Sequence, residues 1–212
     1  MGVLANLSDD MRNLQRTEIG EVGEDFAAEQ VGSSAMPQKR NPINFENAKS
    51  SWKVVMPRMV TIFMDQISEH QRDLTNSMSI RTYGEIIAYV VSSARRLART
   101  MEKLKIDRAN LDRNLNMQGD LVLAEAYKTL FASMGCPDAH KKVDALVRKA
   151  TGEGRSLRWA VGADEEILSY LEKLTDVQRQ ILLEPRLYAG LAAKKARTVA
   201  RKWRKKIKLM KM

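Results

Sequence analysis

Between Gly32 and Pro42 the chain reads Gly-Ser-Ser-Ala-Met-Pro-Gln-Lys-Arg-Asn-Pro. Two hydroxyls (Ser33 and Ser34), the ammonium of Lys39 and the amide of Asn41 therefore share one loop punctuated by glycine and proline. A serine hydroxyl is a feeble base unless its surroundings favour the alkoxide. Lys39 supplies a point positive charge, Asn41 can donate to a carboxylate oxygen, and Gly32 lets the backbone approach a substrate closely. Amide N–H groups at the start of a following helix would add partial positive charge. These are parts for a site that takes a proton from carbon and stabilises the anion that develops. An ordinary capped connector would explain Gly-Ser-Ser alone, but it does not easily explain Lys39 and Asn41 in the same loop.

The eleven residues from Gly32 to Pro42 resemble the signature of the fumarase/aspartase superfamily of β-eliminating lyases. The resemblance implies roles for individual positions. Ser33 would be the base that removes the proton beside a carboxylate. Lys39 and Asn41 would bind the carboxylate that becomes fumarate, with Ser34 and Met36 also at the substrate. Glu46 would be the acid that partners an active-site histidine. A second segment, Gln71-Arg72-Asp73-Leu74-Thr75-Asn76-Ser77-Met78-Ser79-Ile80-Arg81, is similar to the nucleotide-contact segment of adenylosuccinate lyases. By that likeness Arg72, Ser77 and Arg81 would contact the nucleotide and its phosphate; Thr75 stands where serine is commoner. Ser77 and Arg81 are four apart at an expected helix start, so they would share one face and could grip an anion. Without the likeness, the trio reads as a capped, solvated helix start. Arg16 to Val22 resembles the helix before the signature loop in these lyases. Gln118 to Gly135 and Leu183 to Gly190 look like parts of their C-terminal domain.

The resemblance covers most of this chain, while the chain covers about the second half of a family member. It implies cleavage of adenylosuccinate to AMP and fumarate, and of the related succinyl-carboxamide ribotide, with no metal or organic cofactor. It also implies a homotetramer whose active sites draw on several subunits. The general-acid histidine would come from an N-terminal half, encoded separately or preceding this segment. His70 and His140 are the only histidines here, and neither matches that position. The isolated chain is therefore expected to be oligomeric and nearly inactive. Argininosuccinate lyases and carboxymuconate cycloisomerases share the first signature, and a non-catalytic helical oligomerisation module is a further alternative.

The elements that must hold these residues read as helical throughout. Leu4, Leu7, Met11, Leu14, Ile19, Val22 and Phe26 recur at spacings of three to five, which predicts an amphipathic helix over about Val3–Glu29. Gly20 and Gly23 are a cost inside it. The pattern already runs at Val3 with no cap, as in a chain that begins inside an element. Asn41 can cap a second helix over about Pro42–Ile67, with a kink at Pro57. A third is expected over about Ser77–Leu104. Shorter helices then follow at about 107–115, 119–134, 137–151, 164–173, 176–182 and 187–208, separated by Gly135, Pro137, Gly152, Gly154 and Gly162. The fold class is all-α. Residues 1–105 are a partial central helical-bundle domain, and residues 106–212 a smaller helical C-terminal domain.

At 212 residues, the chain is long enough for a real hydrophobic core. No apolar run approaches the ~20 residues that span a bilayer, and no leader pattern opens the chain. The lone Cys136 suits a reducing cytosol and a packing role, so the expected place is cytoplasmic, without a membrane partner. The net charge of +10 has one source. Ten of the 36 Lys and Arg lie in residues 194–212 with no acid among them, leaving 26 to balance the 26 acidic residues. One basic terminal helix argues only weakly for nucleic acid, and a solvated last helix is the expected reading.

Overall fold

In the computed structural model, residues 1–26, 36, 39–67 and 74–210 are described. The chain forms two compact units, Met1–Asp112 and Arg113–Met212. The first is built on α1 (Gly2–Leu14), α2 (Ile43–Met64) and α3 (Tyr83–Glu102). Their buried positions follow helical spacing: Phe45, Ala48 and Val55 on α2, and Ile86, Ser93, Leu97 and Thr100 on α3. On α1 the buried residues are Ala5 and Ser8, both small, which lets it lie close against α2. Phe45, Ala48 and Leu97 form the core with Leu4, Met11 and Leu104 against them. Complete burial of Phe45 contributes about 1.5–3 kcal/mol. α2 runs unbroken through Pro57.

The first helix is shorter than its periodicity suggests. α1 ends at Leu14 and the chain turns through Arg16–Ile19. Gly20 then adopts φ +61°, and its N–H donates to the Arg16 carbonyl at 2.7 Å. Val22–Gly23 (β1) pairs antiparallel with Lys105–Ile106 (β2). The glycines that look like a helical cost lie beyond the end of the helix, and Ile19, Val22 and Phe26 lie on a turn, a strand and a connector. Gly20 is fixed by close approach as well. A Cβ there would sit 2.8 Å from Asn110 Nδ2, which donates to the Gly20 carbonyl at 3.0 Å.

Beyond Glu102 come shorter helices, α4 (Arg108–Asn116), α5 (Ala124–Ser133), α6 (Ala139–Gly152), α7 (Leu157–Gly162), α8 (Glu165–Glu172) and α9 (Asp176–Leu183), followed by the long α10 (Ala192–Met210). Phe131, Leu123, Leu157 and Ile167 are fully buried in the second core, and Tyr127 and Phe131 meet with ring centroids 5.6 Å apart. Cys136 packs in this core. α7 has no counterpart in the sequence reading. Six residues are too few to show a period, and two caps start it. Ser156 Oγ accepts from Trp159 N, while the carboxylate of the distant Asp120 accepts from Leu157 N at 2.8 Å and Arg158 N at 2.7 Å.

Candidate active site

The signature loop leaves its last turn where three elements of the first unit meet: the end of α1, β1 and the start of α2. Gln15, just past α1, joins them. Its Nε2 donates to the Arg40 carbonyl at 3.2 Å, and its Oε1 accepts from Glu24 N at 3.0 Å. Glu24 follows β1 and is only 5% exposed. Its Oε1 accepts from the amides of Asn44 (2.8 Å) and Phe45 (3.0 Å), and its Oε2 from Asn44 Nδ2 (2.6 Å). Arg96 of α3 in turn donates to Asn44 Oδ1 at 3.0 Å. The guanidinium of Arg40 lies 5.4 Å from the centre of the Phe26 ring.

This network changes the electrostatics expected of the loop. The residue before α2 is Pro42, and α2 has no local side-chain cap from Asn41. The first amides of α2 are nevertheless engaged: Ile43 N with the Asn41 carbonyl at 2.9 Å, Asn44 and Phe45 with Glu24, and Glu46 N with the Pro42 carbonyl at 2.8 Å. A buried carboxylate already answers the positive end of the helix. Charge for an anionic ligand must therefore come from side chains.

Those side chains line a cleft of about 990 Å³. Met36, Lys39, Asn41 and Glu46 lie along it together with Arg12, Arg16 and Arg40. Arg12 is committed to Asp9 at 3.0 Å. Lys39 and Glu46 are exposed and Asn41 is half-buried, and none of these three side chains bonds to another described residue. An ammonium, an amide and a carboxylate are thus held within one concave surface, with the carboxylate three residues into the helix. Such a set can bind one end of a dicarboxylate and orient a proton donor supplied from elsewhere.

Ser77 and Arg81 are not on this cleft. The third α-helix starts only at Tyr83, so Ser77 sits in a turn and Arg81 in the 3-10 turn Ser79–Thr82. The shared α-helical face expected for them is not formed. Asp65, just past α2, organises this corner: it accepts from Ser79 Oγ at 2.7 Å and Tyr83 Oη at 2.6 Å, and its carbonyl from Asn76 Nδ2 at 3.0 Å. That hydrogen bond to Asp65 holds the Tyr83 phenol above its ordinary pKa. Arg81 is exposed, and its partner among the described residues is the Met78 sulfur at 3.7 Å. Ser33, Ser34 and Arg72, like His70, lie outside the described residues. His140 is exposed on α6 with Nδ1 4.0 Å from Asp144.

The sequence reading missed Gln15 and Glu24. Twenty residues separate Glu24 from the amide it caps, a span over which no cap motif can be recognised.

Comparison with known proteins agrees with this architecture. A family model described as adenylosuccinate lyase C-terminal matches residues 68–180, and one described as lyase matches residues 1–56. The adenylosuccinate lyase of Pyrococcus abyssi is 35% identical over 192 residues, which are 89% of this chain and 42% of that protein. The adenylosuccinate lyase of Methanocaldococcus jannaschii is 36% identical over 187 residues, 86% of this chain and 40% of that one. Among solved structures, a 3-carboxy-cis,cis-muconate lactonizing enzyme from Pseudomonas putida superposes with a TM-score of 0.73 at 31% identity, covering 96% of this chain and 45% of that one. The chain spans less than half the length of the relatives it matches. With more than half of its residues matched by one model, the chain belongs to the adenylosuccinate lyase C-terminal family, within the fumarase/aspartase superfamily of lyases.

Proposed function

We propose that this chain is the C-terminal part of a cytoplasmic adenylosuccinate lyase, with residues 1–105 belonging to its central bundle and 106–212 to its C-terminal domain. The carrying observation is the cleft on which Lys39, Asn41 and Glu46 converge, their side chains bonded to no other described residue. In this reading Ser33 takes the proton from the succinyl carbon next to a carboxylate. Lys39 and Asn41 hold that carboxylate while the electron pair builds up on it, and Ser34 and Met36 line the substrate. The C–N bond then breaks, the pair leaves with nitrogen, and a proton from a histidine partnered by Glu46 completes the amine. The products are fumarate and AMP, or the carboxamide ribotide from the second substrate. Arg72, Ser77 and Arg81 would hold the nucleotide phosphate from a neighbouring copy in a homotetramer. The separation of Ser77 and Arg81 from the cleft and the exposed Val60, Phe63, Met64, Ile80 and Ile87 support that assembly.

Ser33→Ala in the assembled enzyme tests the base assignment. Turnover should fall by about 10²–10⁴ while substrate still binds. Near-normal turnover would remove Ser33 from the role.

The likeness to the muconate lactonizing enzyme favours one second reading, a cycloisomerase or another lyase of the superfamily. Turnover of a carboxymuconate in place of adenylosuccinate would select it.

A further inference from the structure

Helix α10 stands apart from its unit. Every residue from Arg186 to Met210 is exposed, and none of α10 enters the second core. Yet the helix is sharply two-faced. At 3.6 residues per turn, Ala192, Ala196, Val199, Trp203, Ile207 and Met210 fall in one narrow arc. Val199, Trp203, Ile207 and Met210 remain 50–72% exposed along it. The remaining circumference carries nine Lys and Arg, with no acid between Ala192 and Met210. Lys206 lies against the stripe, its ammonium 5.0 Å from the centre of the Trp203 ring. A merely solvated last helix accounts for the cations and leaves the stripe without a purpose.

We infer that α10 is a surface-seeking element that lies flat on a bilayer rich in anionic phospholipid. Its stripe would enter the boundary between headgroups and acyl chains, while its cations face the lipid phosphates. The choice of occupant follows from charge. A uniformly cationic circumference matches a plane of uniform negative charge, whereas a protein face of mixed sign would leave many of the nine cations opposed or unpaired. RNA would neutralise the cations but gives Val199, Ile207 and Met210 nothing to bury against. The aliphatic stems of Lys195, Lys202 and Lys206 flank the stripe and can lie in the interface with their ammonium groups in water. Among the described residues no helix is long and apolar enough to cross a membrane. The expectation of no membrane partner was drawn from spanning length, and surface attachment does not require it.

The test is co-sedimentation of the full chain with vesicles of phosphatidylcholine alone or mixed with phosphatidylglycerol, alongside Trp fluorescence. Anionic vesicles should retain the chain at least about tenfold better than neutral ones, with a blue shift in emission. Trp203→Ser combined with Ile207→Ser keeps every charge and touches only exposed positions. Because that variant lacks the reporting Trp203, it is read by sedimentation, and it should lose most of the binding while its thermal melt is unchanged. Absence of enrichment on anionic vesicles overturns the inference. So does equal binding by the double variant, which would mean charge attraction alone. Retention on RNA in place of vesicles, or self-association abolished by the double variant in place of vesicle binding, overturns it equally.

Discussion

Glu24 spends a buried carboxylate on two backbone amides and one side-chain amide, and in doing so fixes where α2 begins. Lys39 and Asn41 precede that point and Glu46 follows it, so their spacing across the cleft is referred to one residue on a different element. Glu24→Ala would strand buried donors, each costing about 1–3 kcal/mol. Chemical denaturation should show a loss in that range, and the amides of Asn44 and Phe45 should exchange with solvent much faster, while α6 amides stay protected. Unchanged exchange at Asn44 and Phe45 would show that the cap is not needed. The signature residues were legible because their chemistry is concentrated in eleven consecutive positions. Gln15 and Glu24 were not, because their partners are distant in sequence and a lone Gln or Glu carries no mark of what it caps.

At the scale of elements, the long helices α2 and α3 lie where burial repeats evenly, although α3 starts at Tyr83 and not at Ser77. The reading failed where apolar residues kept a helical spacing by coincidence, from Ile19 to Phe26. There α1 has already ended at Leu14, Gly20 turns the chain at φ +61° and β1 follows. Gly20→Ala should destabilise the first unit by about 1–2 kcal/mol from the left-handed backbone alone, with the Asn110 contact adding to it. A thermal melt of the variant against wild type measures this. The pairing of α1 with α2 also carries a pH dependence. Hydrogen bonding to Lys49 holds the Asp9 carboxyl below the usual carboxylate range, opposed by burial and aided by Arg12. Hydrogen bonding to Lys105 does the same for Asp25, between the strands. A group with a depressed folded-state value gives its stabilisation at neutral pH and loses it as pH falls through that value. The melting temperature should therefore drop below about pH 4, and less steeply in Lys49→Met.

For the molecule as a whole, α2 and α3 bury one face each and leave the other apolar and bare: Val60, Phe63, Met64 and Ile67 on or just past α2, and Ile87 and Val91 on α3. The small core of Phe45, Ala48 and Leu97 is thin support for helices of 22 and 20 residues, which is what a bundle completed by other copies would look like. The all-helical architecture was legible from periodicity, whereas the proposed sharing of a site between copies rests on the family resemblance, because residues on different copies have no spacing to read. Sedimentation should find oligomers that Phe63→Ser with Ile67→Ser shifts toward monomer. The most direct measurement is fumarate release from adenylosuccinate by this chain alone and after mixing with the N-terminal half of an adenylosuccinate lyase. The chain alone should be nearly inert and the mixture should turn over. Full activity without the added half, or none in a mixture that does assemble, would contradict a site divided between the two.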